Sequence, residues 1–452
     1  MNDEKLLKHI DSLIELYHSD FKSDGSKNNN LKQCNCNSGN YQQYFKQPHC
    51  AQKKNVLTKE EVQKVSKALL ELQRGLTGER NLAGGGYMQD KNFLGAYLLY
   101  YWIISYLQIS FIADDVKSKV NDIVKKTQSF ASSNSSLFET KQCNSAQTNK
   151  IRILDLGSGP APATVALIDS IIDVKNVQVE VTLVDSSEKA LTLAKKILQK
   201  EFPDVEVKSV VCNFENTEVA LTENFDFIVS CHALNELWKN KTDCIEKRSL
   251  FLEKVSDHLA QNGAIIICEP ALLLTSRNLI KVRDTLLQKG LNVISPCIFT
   301  AEKKCLLCPV LQTENHTCHA EVKWTPVEPV ASLAKEAGLD RESVKMTYFV
   351  FEKNNNVEVT NDCVAKDEIT GRIVSEGMLN KAGRVRFLVC NGNSRIAVSA
   401  KKDDVHAKAM GFFNLQRYDI VKFSSLEIRG DKNNAAYGIA SGTVLTLLNN
   451  QL

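Results

Sequence analysis

Apolar residues change their spacing twice along the chain, and each change marks a different kind of structure. From Val56 to about Gln128 they recur at helical intervals, as in "LTKEEVQKVSKALLELQRGL", which predicts helices with one buried face. "FLGAYLLYYWIISYLQISFI" predicts a largely buried helix whose aromatic stripe reads as core, and "NLAGGGYMQD" before it predicts a glycine turn. From residue 151 the pattern shortens to apolar runs: "IRILDL" (151–156), "QVEVTLVD" (178–185), "VEVKSVVC" (205–212), "FDFIVSC" (225–231) and "GAIIICEP" (263–270). Segments of helical period separate most of them, so the prediction is a doubly wound α/β domain with a mostly parallel sheet. "KMTYFVFEK" (345–353) predicts a late strand closing an edge of that sheet. Nearer the end, "RVRFLVC", "RIAVSA" and "YDIVKF" predict the short strands of a small β module.

These changes divide the 452 residues into a flexible N-terminal segment (1–54), a helical domain (55–128), a Ser/Asn-rich linker (129–150), an α/β domain (151–360) with a cysteine-rich insertion (290–324), and a β-rich module (361–452). A chain of this length suits two or three domains. Its hydrophobic share of 43% and charged share of 24% are those of an ordinary soluble protein, and no run of about eighteen apolar residues predicts a membrane span. The N-terminus carries early acids and matches neither a secretory signal nor an Arg-rich transit peptide. A cytoplasmic, monomeric protein with no membrane partner is expected. Net charge is only +3, yet Gly371 to Leu452 holds twelve Lys or Arg against six Asp or Glu, a local +6. A basic module on a body that sums to −3 suits contact with a polyanion, although a solvated surface is the plainer reading.

"ILDLGSGPAPATVALIDS" places Gly157, Ser158 and Gly159 directly after a strand and opens a helix, with Pro160 and Pro162 suited to its first turn. Glycines there let backbone pass close to a ligand, and the helix start offers unpaired N–H groups. The next strand ends in Asp185, where an acid would accept ribose hydroxyls, and Asn213 after the third strand suits an adenine edge or a polar strand cap. A dinucleotide site would show the full G-x-G-x-x-G; Asp155 in "D-x-G-x-G" instead resembles motif I of class I S-adenosylmethionine methyltransferases. That resemblance implies a Rossmann-like fold and S-adenosylmethionine rather than NAD. The catalytic side is less legible. "SCHALNELWKN" (230–240) lacks the Asp/Asn-Pro-Pro-aromatic motif of amino methylation. Cys231, Cys268 and Cys297 are conceivable nucleophiles, more simply read as buried thiols or ligands. His232 and Glu236 are conceivable proton carriers, more simply read as structural.

Fourteen cysteines in a reducing compartment argue for metal or cluster ligands, or buried thiols, over disulfides. Cys34, Cys36, His49 and Cys50 sit in a polar tract that seldom preorganises a site. "SPCIFTAEKKCLLCPVLQTENHTCHAEVKW" holds the sharper pattern, Cys297-x7-Cys305-x2-Cys308-x9-Cys318. Zinc and iron–sulfur clusters both take four thiolates. A zinc ribbon prefers two C-x2-C knuckles and only one is present, so irregular spacing leans to iron–sulfur with zinc still open.

An ordered set of segments resembles the methyltransferase-like family associated with small ribosomal subunit assembly, known from mitochondria and with bacterial members. The set runs from about Val56 to Phe423: "LLELQRGLTGERNL", "LGAYLLYYWIISY", "LDLGSGPAPATVAL", "CHALNEL", "IICEPALLLTSRNLIKVRDTLLQKG", "SPC…CP…TCHAEVKW", "GRIVSEGMLNKAGRVRFLVCNGN" and "YDIVKF". The resemblance implies an S-adenosylmethionine-binding fold with a 4Fe–4S cluster. Its ligands would be a Pro-Cys, a Cys-Pro, a third Cys shortly after and a fourth much later: Cys297, Cys308, Cys318 and Cys390. Cys305 departs from the family pattern as an extra thiol; Cys308 is preferred because it alone precedes a proline. The implied function is an assembly factor that binds small-subunit rRNA, the cluster clasping the basic module. An active rRNA methyltransferase and a zinc-containing small-molecule methyltransferase are the alternatives.

Overall fold

Helical spacing at the start of the chain produces the predicted helices and one more. The computed structural model describes residues 3–21, 56–82, 86–133, 150–171, 177–298, 307–339, 342–353, 368–429 and 436–448. Helix α1 (Asp3–Asp20) falls where the sequence reading places a flexible segment. Leu6, Ile10, Leu13, Ile14 and Tyr17 are buried on it at i, i+3 and i+4 intervals, a stripe obscured by the charges between them. Each such side chain gains roughly 1.5–3 kcal/mol on full burial. The rest of that segment, with Cys34, Cys36, His49 and Cys50, lies outside the described residues.

Helix α2 (Lys59–Gln73) opens on a capping box in which Thr58 and Glu61 satisfy each other's backbone N–H groups. Helices α3 (Lys91–Ala96) and α4 (Trp102–Asp115) are joined by a π-helical turn at Tyr97–Tyr101. By length and composition Lys91–Asp115 would suffice to cross a bilayer, but 83% of its apolar window is buried inside the protein. It is the core helix that the aromatic stripe predicts. Helix α5 (Lys117–Ser133) runs into the start of the expected linker, whose residues 134–149 lie outside the described residues.

The apolar runs become β1 (Lys150–Leu156), β2 (Gln178–Asp185), β3 (Glu206–Val211), β4 (Phe225–Cys231) and β5 (Leu259–Pro270). Between them lie α6 (Pro162–Ile171), α7 (Glu188–Glu201) and α8 (Cys244–Ser256), and α9 (Leu273–Gln288) follows. Then come β6 (Leu291–Ser295), β7 (Ala320–Lys323), α10 (Val330–Ala337) and β8 (Ser343–Lys353). The strand order is β3-β2-β1-β4-β5-β8-β6, with β7 also on β8. β1 to β5 are parallel and β8 is antiparallel to its neighbours. This is the class I methyltransferase-like α/β architecture. One placement differs from expectation: β8 is not an edge. Its Phe349 and Phe351 are buried, and its outer side is paired by β6 and β7, short strands inside and beside the cysteine-rich stretch that carried no strong pattern.

Both faces of the sheet are covered, which is why its strands read as continuous apolar runs. Ile153, Phe227, Ile266 and Cys268 face the helical N-terminal region and α6, whereas Leu154, Ile228, Ile265 and Ile267 face α8 and α9. The last part of the chain forms a second sheet from β9 (Ile369–Ile373), β10 (Met378–Leu379), β11 (Arg384–Cys390) and β12 (Arg395–Lys401). After the short helix α11 (Val405–Ala409), β13 (Ile420–Ser424), β14 (Glu427–Ile428), β15 (Ala436–Gly438) and β16 (Val444–Leu447) complete it. It has its own core around Phe387, Phe412 and Phe423. It docks through Arg372 of β9, whose guanidinium pairs with Asp115 at 3.1 Å and donates to the Tyr418 carbonyl.

A buried polar triad fixes α1. The His9 ring lies 2.7 Å from Asp169 on α6 and 3.0 Å from Glu201 on α7, and the Tyr106 hydroxyl donates to the same Asp169. Burial alone would lower the His9 pKa, but its hydrogen bonds to Asp169 and Glu201 more than reverse that. Burial likewise opposes ionisation of Glu201, yet the His9 bond holds it down to about 2. The His9 contribution to stability is therefore full below 6.5 and is lost as pH rises through its folded value. The Glu201 contribution is present above 4.5 and is lost as pH falls toward about 2. His9→Ala should cost about 3–5 kcal/mol in urea unfolding near pH 5.5, and distinctly less at alkaline pH. A loss that does not vary with pH would show that His9 acts by packing alone.

Candidate functional site

A cleft of about 370 Å³ lies over the ends of the first four parallel strands, where their loops diverge. Gly157 and Gly159 cross it with φ of +72° and +50°, and a Cβ on Gly157 would meet the Ala233 Cβ at 2.2 Å. Only glycine lets this loop pass the end of β4. The Gly157 N–H donates to the Val184 carbonyl at 2.7 Å. The N–H groups of Gly159 and Ser187 each donate to one oxygen of Asp185 at 2.8 Å, orienting that carboxylate at the cleft wall. Burial pushes Asp185 up against these bonds.

Asp155 sits deeper. It is 1% exposed and accepts the Thr164 hydroxyl at 2.6 Å, while its Oδ1 is buried with no hydrogen-bond partner. Burial pushes its carboxyl up to about 7, opposed by the Thr164 bond and reinforced by the Cys231 and Asp185 charges. With Asp185 and Glu236 in the wall and Asp155 behind it, the cleft gathers acids, an arrangement that suits a ligand carrying positive charge.

Of the residues predicted for this site, Gly157, Gly159, Asp185 and Asn213 line the cleft. Asn213 also serves as a strand cap, accepting the Glu215 N–H at 3.0 Å. Asp155 and Ser158 are buried behind the lining, and the Pro160 carbonyl accepts the Trp102 indole N–H at 2.9 Å. Tyr87, Met88 and Tyr97 form a wall that sequence reasoning missed. They come from the helical region, and no local spacing tied them to the glycine loop.

At the end of β4, Cys231 and His232 also line the cleft. Cys231 pairs in register with Cys268 of β5, and the His232 Nε2 lies 2.6 Å from Gln108 Oε1 on α4. Behind them Glu269 accepts both the backbone N–H and the side-chain amide of Asn235. Burial pushes Glu269 up to about 7, against the charge of His232 and these bonds. Among the described residues the amino-methylation motif remains missing, and no acceptor-activating set of known form replaces it.

The distant cysteines come together. Cys297 follows β6, Cys308 and Cys318 flank the turn before β7, and Cys390 ends β11 of the second sheet. Burial pushes Cys297 and Cys308 up and Cys390 up to about 12, and in each case the charge of Cys318 adds to it. The Cys390 thiol feels Cys297 as well. Basic and polar groups surround them. Arg283 lies 3.8 Å from the Cys297 sulfur, the Cys308 N–H donates to Asp284 at 3.0 Å, and the Tyr418 hydroxyl is 3.7 Å from the Cys318 sulfur. Arg283 and Asp284 are buried neighbours on α9; two charges at adjacent positions of an otherwise apolar stripe were the available signal. Cys305 lies outside the described residues.

A family model described as mitochondrial small ribosomal subunit Rsm22 matches residues 115–409. No curated protein matches the sequence. Among solved structures, a class I S-adenosylmethionine-dependent methyltransferase from Listeria monocytogenes is 12% identical, covering 80% of this chain and 91% of its own at a TM-score of 0.34. An S-adenosylmethionine-dependent methyltransferase from Clostridium acetobutylicum is 12% identical, covering 55% of this chain and 99% of its own at a TM-score of 0.28. An RNA methyltransferase from Pyrococcus horikoshii is 10% identical, covering 45% of this chain and 74% of its own at a TM-score of 0.25.

Proposed function

The chain belongs to the family described as mitochondrial small ribosomal subunit Rsm22, and on that premise we propose an assembly factor for the small ribosomal subunit. It binds S-adenosylmethionine in the cleft, carries a 4Fe–4S cluster on Cys297, Cys308, Cys318 and Cys390, and contacts rRNA through its basic module. The observation that carries this reading is the meeting of Cys390 with Cys297 and Cys318, thiols drawn from two separate sheets within the matched span.

The residues fit both groups. Asp185 would hold the ribose hydroxyls, Gly157 and Gly159 bring backbone close to the ligand, and Asp155 and Glu236 offset its positive charge. S-adenosylmethionine supplies an electrophilic methyl group when bound, and the cluster supplies iron–thiolate bonds between the two sheets. A tetrahedral zinc, with Zn–S bonds of about 2.3 Å, would draw its sulfurs to within about 4 Å of one another. Among the described residues the one group of three donors within 4.8 Å is Cys231, His232 and Cys268. Zinc on the four clasping thiolates is the alternative that the colour of the protein separates from a cluster.

Docking through Cys390 and Arg372 presents the local +6 of the C-terminal module beside the cleft's domain, where it can lie along phosphates. Methylation of rRNA is the second reading, favoured by Cys231 and Glu236 in the wall of the same cleft.

Three measurements test the proposal. In titration calorimetry Asp185→Ala should weaken S-adenosylmethionine at least about tenfold, consistent with losing a charge-assisted hydrogen bond; unchanged binding removes Asp185 from the site. Protein purified without oxygen should be brown, absorbing broadly near 400 nm (roughly, as iron–thiolate clusters do). Cys390→Ser should lose both that colour and the protease resistance of the C-terminal module, whereas a colourless protein holding zinc on these thiols ends the cluster reading. Finally, crosslinking in cells should recover small-subunit rRNA. A methylation map of that rRNA with and without the gene separates the two readings: an unchanged map supports assembly alone, a lost methyl supports catalysis, and no rRNA crosslink overturns both.

A further inference from the structure

The cleft holds a second sulfur site that neither the cluster nor the donor explains. Strands β4 and β5 run parallel with Cys231 directly opposite Cys268, and both thiols face the helical N-terminal region. His232 then leaves β4 with φ +64°, a left-handed conformation that costs a non-glycine residue about 1–3 kcal/mol. The surroundings hold it there. The His232 N–H donates to the Cys268 carbonyl at 2.8 Å, and its own carbonyl accepts the Asn235 side-chain amide at 2.9 Å. The result brings both sulfurs and an imidazole nitrogen within 4.8 Å of one another.

The tautomer of that imidazole is set from α4. The Gln108 side-chain N–H donates to the Lys345 carbonyl at 3.0 Å, which turns its Oε1 toward His232 Nε2 at 2.6 Å. An amide oxygen can only accept, so Nε2 carries the proton and Nδ1 presents a lone pair. Nδ1 is enclosed and meets no nitrogen or oxygen partner; the side chain that the imidazole engages besides Gln108 is the Cys231 thiol, itself bonded to Cys268. A buried imidazole that turns one nitrogen to an orienting amide and meets two thiols has the form of a metal ligand with its outer support in place.

We propose that Cys231, His232 and Cys268 bind one thiophilic divalent cation of the zinc class. Two sulfurs and one imidazole leave a tetrahedral ion its fourth position. Cys231 and His232 are in the cleft wall and Cys268 is fully buried behind them, so that position opens toward the cleft and takes water or an anionic or sulfur atom of whatever enters. Binding takes the ion onto two thiolates and a neutral imidazole, and the protons these groups held go to solvent. The site is separate from the four clasping cysteines and does not rest on the donor or cluster reading.

Cobalt(II) is the probe, added to the full-length chain after anaerobic chelation. Wild type should take up one cobalt per chain at this site, with the strong visible bands of a tetrahedral sulfur-ligated ion, and zinc should displace it. Cys268→Ala removes no atom from the cleft lining and should lower cobalt affinity at least about 100-fold. Gln108→Leu frees the imidazole and should lower it about 10–100-fold; this variant carries the test if Cys268→Ala does not fold, as judged by far-ultraviolet circular dichroism. Cys297→Ser should keep the signal. Wild type that binds neither metal at micromolar concentration, affinity unchanged in both Cys268→Ala and Gln108→Leu, a signal lost with Cys297→Ser, or a Cys231–Cys268 disulfide in the anaerobically isolated protein would each overturn the assignment.

Discussion

The guanidinium of Arg372 is carried into the interior by β9, where it is 6% exposed and is neutralised by Asp115. The same carboxylate accepts the hydroxyls of Tyr348 on β8 and Ser295 on β6. One acid thus joins the helical region, the central sheet and the second sheet. A displaced module would break that ion pair and leave the Asp115 carboxylate to the Tyr348 and Ser295 hydroxyls alone. Because Arg372 stands opposite Cys390 in the β9–β11 register, the contact that places the cation also places the thiol. Gly371 makes the approach possible, since a Cβ there would lie 2.6 Å from the Cys390 carbonyl.

Helix α4 extends that constraint to the cleft. Trp102 holds the carbonyl after the glycine loop, Gln108 orients His232, and Asp115 receives Arg372. These contacts are spread over the fourteen residues of α4, roughly 20 Å of one rod. The fold commonly leaves the ends of its strands open to a ligand; here a helix from an earlier part of the chain runs along them. Moving α4 would disturb the glycine loop, the thiol–imidazole group and the Arg372–Asp115 contact together. Its near-complete burial, which alone resembles a membrane span, follows from touching all three.

Legibility in the sequence divided along the same line. Strands with two buried faces, the glycine loop and the paired carboxylates announce themselves within a few residues, because period and turn chemistry are local. Asp185 and the C-terminal strands were readable for that reason. The interior position of β8 was not, since it depends on β6 and β7, two short strands with weak patterns. Helix α1 had its apolar stripe in plain view, but a dense set of charges competed with it. Arg372, Tyr97 and Gln108 matter through partners scores or hundreds of residues away, and no spacing rule reaches them. Cys390 came from a family resemblance, and the β9–β11 register sets it opposite Arg372.

The two sulfur groups make different demands on the fold. Cys231 and Cys268 sit on adjacent parallel strands, so the hydrogen-bond ladder preorganises them and an ion entering there pays little for assembly. The Cys297 group spans two sheets, and nothing in either sheet alone brings Cys390 to Cys318. Whatever binds that wider set gains affinity only by holding the module in place, so its binding free energy is docking free energy. Loss of the ion beside the cleft would leave the architecture standing, whereas loss of the wider group would leave Arg372 and Asp115 to hold the basic module. In the proposed function this makes rRNA contact depend on the clasp, while the cleft keeps its chemistry whether or not the module is docked.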